Sequence, residues 1–457
     1  MIARVIKIGG STLRSSHSIR KVLAVIESYS EPLVIVISAL YGITDELSGA
    51  LQGILADQNR IPELSSRIFL RHDRLLRRYV TDPSSCEKAR QKIKGRLEEL
   101  ENNLRGIHYL GEIPPFVKDR ILSFGERLSS LLLSVILGDR GEQNREMLPE
   151  DLGLITDGVF NDASVNFEVS EPRVREQVTK QGCHLVVPGF YGHSPEGKTT
   201  LFGRGGSDYT AASIARCIQA RQLDIYKDVT GFMTIDPKGF AEAKTIDYLS
   251  YEEAAELSYF GAKILHPRTF EPLIDRGISL RLFDIRHCEN PPRPSTVVDN
   301  GGRKSPQVVK SITSSKDFGI LRLHGPRVGI KPGIMARVTT RLHEARINIK
   351  SIITAQTCIN ILLGRQDLDR GYRLIRALSL PSLDQVVRMD GISLIAVVGE
   401  GMLSSPGIAA RIFQAVSEHR INVMIIAAGA SRVATYFVVD QGDLRIALAA
   451  IHREFFQ

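Results

Sequence analysis

Two short clusters of glycine, hydroxyl and basic residues in this 457-residue sequence have the make-up of anion-binding loops. The first, Lys7-Ile8-Gly9-Gly10-Ser11, closes an apolar run that reads as a strand and precedes a helical pattern from about Ser18. Paired glycines let backbone N–H groups come close to a phosphate, and a lysine at the strand end adds a fixed positive charge. The second, Gly203-Arg204-Gly205-Gly206-Ser207-Asp208, runs straight into the small-residue helical pattern YTAASIARC. Backbone donors, the helix dipole and a guanidinium all converge there on one anion. A turn that only reverses the chain rarely needs three glycines and a Ser-Asp cap.

Two further stretches could join them. One is DIYKDVTGFMTIDPK (224–238), a strand and turn carrying Lys227, Asp228 and Asp236-Pro237-Lys238; the other is YFGAKILHPRTF (259–270), with Lys263 and His266. Taken singly, each is a polar loop beside a strand or helix. His266, lying before Pro267, reads as a structural hydrogen-bonding histidine rather than a base. The string from Gly192 to Thr199 fits the GxxxxGK[ST] phosphate-loop pattern. The residues that follow, TLFGRGG, cannot open the helix on which that loop depends, and Glu196 would oppose phosphate charge, so a hairpin tip is expected. Arg71, Arg74, Arg77 and Arg78 recur at the three-to-four spacing of a solvated helix face.

These loops need a frame. Apolar β-rich runs (RVIKI, then PLVIVIS at 32–38) alternate with helical patterns, which predicts a mostly parallel sheet covered by helices on both faces. From about Asp45 to Gly138 strand signals vanish and long Arg- and Glu-rich helices follow, a helical insertion or lid. Strands resume at 184–190, 224–229 and 279–285. The length predicts two to four domains. With 43% hydrophobic and 24% charged residues, disordered, collagenous and disulfide-scaffold classes are excluded. The net charge of +8 is spread along the chain, with no basic arm and no aromatic-basic stripe, so small anions are expected as partners and nucleic acid is not. Five cysteines without a CxxC pair predict reduced thiols and no metal site. Met1 leads straight into a strand and no run reaches the ~18 apolar residues of a membrane span, which predicts a cytoplasmic protein with no membrane partner.

Beyond a Pro-, Gly- and polar-rich stretch at 289–307 the sequence repeats itself. PGIMARVTTRLHEARINI from Pro332 is matched by PGIAARIFQAVSEHRINV from Pro406, and both ends of the motif keep an ungapped offset of 74 residues, 332 to 406 and 346 to 420. Each copy reads strand, Pro-Gly-led helix, strand and strand, a small ligand-sensing unit duplicated.

Together these strings resemble the aspartokinases, members of the amino-acid-kinase fold family followed by paired ACT domains. KIGGST, SALYGITD, SFGERLSS, GRGGSDYTA, KDVTGF with DPK, GAKILHP and the doubled tail carry the likeness over essentially the whole chain. The resemblance implies an α/β fold, a mostly parallel sheet sandwiched by helices and followed by two α+β ferredoxin-like domains. Its boundaries would be a catalytic domain at 1–288 with the helical insertion at 45–138, a linker at 289–312, and ACT domains at 313–389 and 390–457.

The reaction implied is transfer of the ATP γ-phosphoryl group to the β-carboxylate of L-aspartate, with Mg2+ travelling on the nucleotide. Carried over residue by residue, Lys7 and Lys263 would reach the phosphates, and Gly9, Gly10 and Ser11 would supply backbone contacts. Lys227, Asp228, Met233, Lys238 and Ile264 would line the nucleotide side. Arg204 would grip a carboxylate of aspartate, with Gly205, Gly206 and Ser207 around it and Thr44 nearby. Glu126 would pair with the ammonium, and Asp208 would orient the lysines or a metal-bound phosphate. The chain departs from the pattern at Lys227, where relatives usually have Thr, at Met233, where they often have Tyr, and at Lys238, where they often have Arg. The alternatives are another amino-acid kinase of the fold and a catalytically inactive amino-acid sensor. Glu126 and the doubled tail speak against the first, and intact Lys7, Arg204, Asp208 and Lys263 against the second. Paired ACT domains imply a homodimer or higher homo-oligomer with an amino-acid effector at the interface. Lysine-sensing relatives, as aligned, carry an acidic residue where this chain has Lys350, whose charge would repel a lysine effector. Weak or absent lysine inhibition is therefore expected, with threonine or no effector instead.

Overall fold

The computed structural model describes residues 4–262, 264–287, 292–300, 308–380 and 382–457. The chain forms two compact units, one comprising Met1–Phe232, Thr245–Ala255 and Lys263–Arg303, the other Met233–Lys244, Glu256–Ala262 and Lys304–Gln457.

The first unit is built on an eight-stranded sheet in the order Asn144–Glu146, His184–Pro188, Leu33–Ile37, Arg4–Ile8, Gln222–Lys227, Ser279–Asp284, Thr296–Val298, Tyr248–Leu249. All neighbours are parallel except Thr296–Val298 on Ser279–Asp284. The run LVIVI is buried at every position, as a strand covered on both faces requires. Ile8 lies level with Ile37 and Tyr226, and Ile37 with Pro188. Four central strands therefore release the chain at one edge, through Gly9, Ser38, Gly189 and the residues after Lys227. Open parallel sheets place their ligands along such an edge.

The stretch expected to be a helical insertion is helical throughout, as Ile43–Ala56, Arg60–Tyr79, Pro83–Leu110 and Pro115–Asp139. It is not a lid. Pro115–Asp139 is the central helix of the core, buried from Ile121 to Leu133 and packed against His184–Pro188. It is long and apolar enough to cross a membrane, yet 83% of its most apolar window lies inside the protein. Arg74, Arg77 and Arg78 are exposed, as a solvated face should be, while Arg71 pairs with Glu46 and Arg77 reaches back to the buried Asp73. The GHSPEGKT string forms the hairpin Tyr191–His193 and Thr199–Leu201. Cys86, Cys183, Cys217 and Cys358 are free thiols.

The second unit holds the duplication as two four-stranded antiparallel sheets. Phe318–His324, Ile334–Glu344, Ile349–Ala355, Cys358–Gly364 and Leu368–Arg376 repeat as Ile392–Val398, Ile408–Ser417, Ile425–Ala427, Ala434–Asp440 and Leu444–Phe456. The fourth strands correct the expected boundaries. Gln385–Met389 closes the first sheet, but the second is closed by Ser311–Ser315, which pairs with Ile392–Val398 and precedes the first repeat in sequence. The first repeat is thus inserted within the second, so the linker does not run to 312 and the first small domain does not begin at 313. Part of the expected linker, residues 289–291 and 301–307, lies outside the described residues. The segment Met233–Lys244, which follows the first unit's strand Gln222–Lys227, also packs in this unit, with Ile235 in the core of the second sheet.

One close approach recurs in both copies. A Cβ on Gly325 would stand 2.0 Å from the carbonyl oxygen of Ser382, and one on Gly399 would stand 1.7 Å from that of Val308, each at the entry to the fourth strand. Gly325→Ala and Gly399→Ala should each destabilise their sheet by about 1–3 kcal/mol, the usual range for overpacking. Denaturant midpoints unchanged in both variants would contradict this symmetry.

Candidate active site

Three elements meet at the sheet edge around one carboxylate. Lys7 sits next to last in its strand, Asp208 in the first turn of the helix Gly206–Cys217, and Lys227 last in the strand Gln222–Lys227. Lys7 Nζ is 2.5 Å from Asp208 Oδ1, and Lys227 Nζ donates to Asp208 Oδ2 at 2.8 Å and to the carbonyl of Ile264 at 2.5 Å. Lys7 and Asp208 are buried, at 5% and 4% exposure. Burial alone would raise the Asp208 pKa, but Lys227 and Lys7 outweigh it and hold the carboxyl down to about 2. Burial lowers the pKa of Lys7, against the pull of Asp208. Asp208 is therefore ionised at any physiological pH and fixes two ammonium groups where a phosphate could take them over.

A cleft of about 360 Å³ opens beside this cluster, lined by Lys7, Ser38, Phe190 and the turn Gly203–Asp208. Gly205 has φ +72°, and a Cβ there would lie 2.4 Å from His266 Cβ, so the turn admits only glycine. Arg204 is exposed in the cleft and forms no ion pair or hydrogen bond with a described residue. Ser38 and Phe190 escaped the sequence reading. Ser38 is simply the first residue past a strand, and Phe190 sits at φ +77°, a rare conformation for an aromatic side chain that sequence does not announce.

Glu126 comes from the buried helix Pro115–Asp139 and is 4% exposed, with Oε2 lacking any partner among the described residues. Burial raises its pKa from 4.5 to about 8, despite the Ala39 and Glu126 backbone N–H groups and the charge of Lys7. Ala39 follows Ser38 of the cleft lining. Thr44 borders the same region, its Oγ1 3.4 Å from where a Gly125 Cβ would stand. A buried carboxyl with an unused oxygen invites a cation.

Of the remaining expected residues, Ser11 donates to Asp228 Oδ1 at 2.6 Å, joining the first loop to the third, and Gly9 N–H donates to the Tyr226 carbonyl at 3.1 Å. Ile264 enters through its carbonyl on Lys227. Met233 and Lys238 are not brought to the cleft lining; they belong to the second unit, where the Met233 carbonyl accepts from Ser311 Oγ and Lys238 is exposed in a turn. Lys263 lies outside the described residues. His266 is the expected structural histidine, its Nδ1 accepting the Arg268 N–H at the start of a short helix.

Fold and site together are those of a phosphoryl-transfer family. Residues 3–284 match the amino acid kinase family and residues 395–455 an ACT domain, and the chain belongs to the amino acid kinase family. Relatives matched along the whole of this chain include aspartokinases. It is 29% identical over 476 residues to aspartokinase 1, chloroplastic, of Arabidopsis thaliana, covering 100% of this chain and 80% of that protein. It is 28% identical over 464 residues to the bifunctional aspartokinase/homoserine dehydrogenase of Haemophilus influenzae, covering 99% of this chain and 56% of that one. Among solved structures, E. coli aspartokinase III in complex with lysine and aspartate (T-state) superposes with a TM-score of 0.80 at 26% identity over 100% of both chains. Its complex with aspartate and ADP (R-state) shares the fold, with a TM-score of 0.82 at 24% identity, covering 99% of this chain and 100% of that one.

The Glu126 pKa has a consequence for stability. The folded state keeps a proton that the unfolded chain releases near pH 4.5, so stability is lost as pH rises from 4.5 towards about 8. Glu126→Gln should therefore melt close to wild type at acid pH and be the more stable protein at about pH 8.5, by a difference on the order of a few kcal/mol. A variant less stable than wild type at alkaline pH would show that Glu126 is not the buried, costly carboxyl described.

Proposed function

We propose that this chain is an aspartate kinase, moving the γ-phosphoryl group of ATP to the β-carboxylate of L-aspartate to give 4-phospho-L-aspartate at the head of lysine, threonine and methionine biosynthesis. The observation that carries the reading is a pair of groups with no partner among the described residues, the Arg204 guanidinium and one oxygen of the buried Glu126 carboxyl. An amino acid with a side-chain carboxylate satisfies both, its carboxylate on Arg204 and its ammonium on Glu126; a simple dicarboxylate leaves Glu126 unpaired, at the cost of a buried, unmet group.

The acceptor carboxylate is ionised at neutral pH and needs no general base. The barrier lies in bringing one anion onto another, so catalysis is positioning and charge neutralisation. Lys7 and Lys227, poised on Asp208, would turn to the phosphates, with Lys263 as the further cation that the family resemblance assigns. Mg2+ would arrive on the triphosphate. Met233 and Lys238 retain the nucleotide role implied by resemblance. The ACT pair would form the homodimer contact and take an amino-acid effector. Lys350 is half-buried with its Nζ 4.9 Å from the centre of the Tyr259 ring, and its charge would oppose a lysine ligand.

Aspartyl-hydroxamate formation with ATP, Mg2+ and L-aspartate, with glutamate as control, tests the reading. Aspartate alone should react, and Arg204→Ala should lower kcat/KM by about two orders of magnitude, as expected when one partner of a charge pair is removed. Turnover of no acceptor despite measurable amino-acid binding would instead establish a sensor. With the active enzyme, lysine should inhibit weakly or not at all while threonine is titrated beside it; a saturating lysine inhibition curve would overturn the Lys350 argument.

A further inference from the structure

Arg268, two residues after His266, was not among the expected site residues and does not line the cleft. Its side chain is only 18% exposed, and its guanidinium makes four hydrogen bonds. Its Nη1 donates to Asp162 Oδ1 at 2.7 Å and to the Phe202 carbonyl at 3.0 Å. Its Nη2 donates to the Ala163 carbonyl at 2.6 Å and to Ser164 Oγ at 3.2 Å. The guanidinium also lies over the Tyr209 ring, 4.6 Å from its centre. One planar cation thus ties the loop 162–164 to the last residue before the Gly203–Gly206 turn and to the helix that follows it.

The loop is held from its other side as well. Asp119 Oδ2 accepts from the N–H groups of Asn161 and Leu201, at 2.8 and 2.9 Å, and the Asn161 carbonyl closes against Gly203, 3.0 Å from where a Cβ would stand. Asn161 itself adopts φ +67°. The turn carrying Arg204 has no regular secondary structure of its own before Gly206. Its placement comes from this clamp, and an exposed arginine on an unclamped glycine turn would sample many positions at an entropic cost to binding.

We infer that Arg268 is a positioning residue for the acceptor side of the reaction: it staples the Gly203–Gly206 turn to the 162–164 loop and so presets Arg204 for the acceptor carboxylate. Lysine cannot replace it, because a single ammonium does not span four acceptors in one plane while stacking on Tyr209. The kinetic part of the inference rests on the aspartate kinase reading; the structural part does not.

The full-length chain carrying Arg268→Gln or Arg268→Lys tests it. Both variants should raise the KM for aspartate by about tenfold or more while leaving the KM for ATP within about twofold, a split that general loosening of the fold would not produce. Millimolar guanidinium should restore part of the aspartate affinity in Arg268→Gly. Asp162→Ala removes one exposed partner without touching the core and should raise the aspartate KM severalfold in the same direction, which keeps the test open if the Arg268 variants fold poorly. Hydrogen exchange in the free protein should be faster at residues 203–206 in the variants. Such local exchange in a protein whose wild type leaves aspartate untouched would sink the kinase reading and keep the staple. Unchanged aspartate KM in Asp162→Ala and the Arg268 variants, or KM values for both substrates rising together, would overturn it, as would unchanged exchange at 203–206.

Discussion

A single buried carboxylate between two ammonium groups is the contact on which the catalytic edge depends. Asp208 reaches Lys7 and Lys227 from a different element than either. Each charge has left water, which is unfavourable by several kcal/mol before pairing, and only the three-way geometry recovers it. Without Asp208, two lysines would face one another near Gly9 with no counter-charge; breaking such a buried pair typically costs about 3–5 kcal/mol. The cluster therefore holds the ends of two strands and the start of a helix in register, and it also stores positive charge. Two lysines against one carboxylate leave a surplus of basic groups at this edge, which suits it to an anion. Structure and chemistry are served by the same groups, which explains why lysine is tolerated so deep in the fold.

Glu126 shows the opposite balance. It is buried with one oxygen unused among the described residues, and its carboxyl is harder to ionise than an ordinary glutamate because the Ala39 and Glu126 backbone N–H groups and the charge of Lys7 only partly offset burial. The helix that carries it is buried from Ile121 to Leu133, so packing along that helix holds the group in place. Local destabilisation kept by a rigid frame is the usual mark of a residue whose partner is a ligand. Arg204 is held differently, exposed on a glycine turn that borrows its rigidity from neighbours.

Much of this was legible in the sequence, for a reason that is local. Anion loops depend on consecutive residues, so Lys7–Ser11 and Gly203–Asp208 announced themselves, as did the parallel sheet through RVIKI and LVIVI and the duplication through its constant offset of 74 residues. What depends on distant partners was not legible. Ser311–Ser315 looks like the opening strand of the next domain, because nothing in its own residues says that its partner is Ile392–Val398 some 80 positions on. The helices after Asp45 are polar enough to suggest a lid, and only packing reveals the last as a core helix. Met233 lies in a stretch that reads as one nucleotide loop, yet it belongs to another unit, where its carbonyl accepts from Ser311 Oγ. Arg268 is invisible in HPRTF because three of its acceptors are backbone carbonyls or small hydroxyls that no motif encodes.

The inventory of side chains follows from the chemistry proposed. A hydroxyl acceptor would need a base near neutral pKa, and a histidine is the usual choice. The histidine behind the cleft, His266, is instead committed to a helix start, with burial and the charge of Arg268 pushing its pKa down. A carboxylate acceptor has no proton to remove, so that commitment carries no penalty. What two approaching anions do need is positive charge that cannot drift, and each cation here is fixed by a separate device: Lys7 and Lys227 by Asp208, and Arg204 by the turn that Arg268 secures. Replacing positional constraint by mere abundance of lysine would raise anion affinity for ground state and transition state alike, and only interactions that strengthen as the phosphoryl group moves can accelerate it.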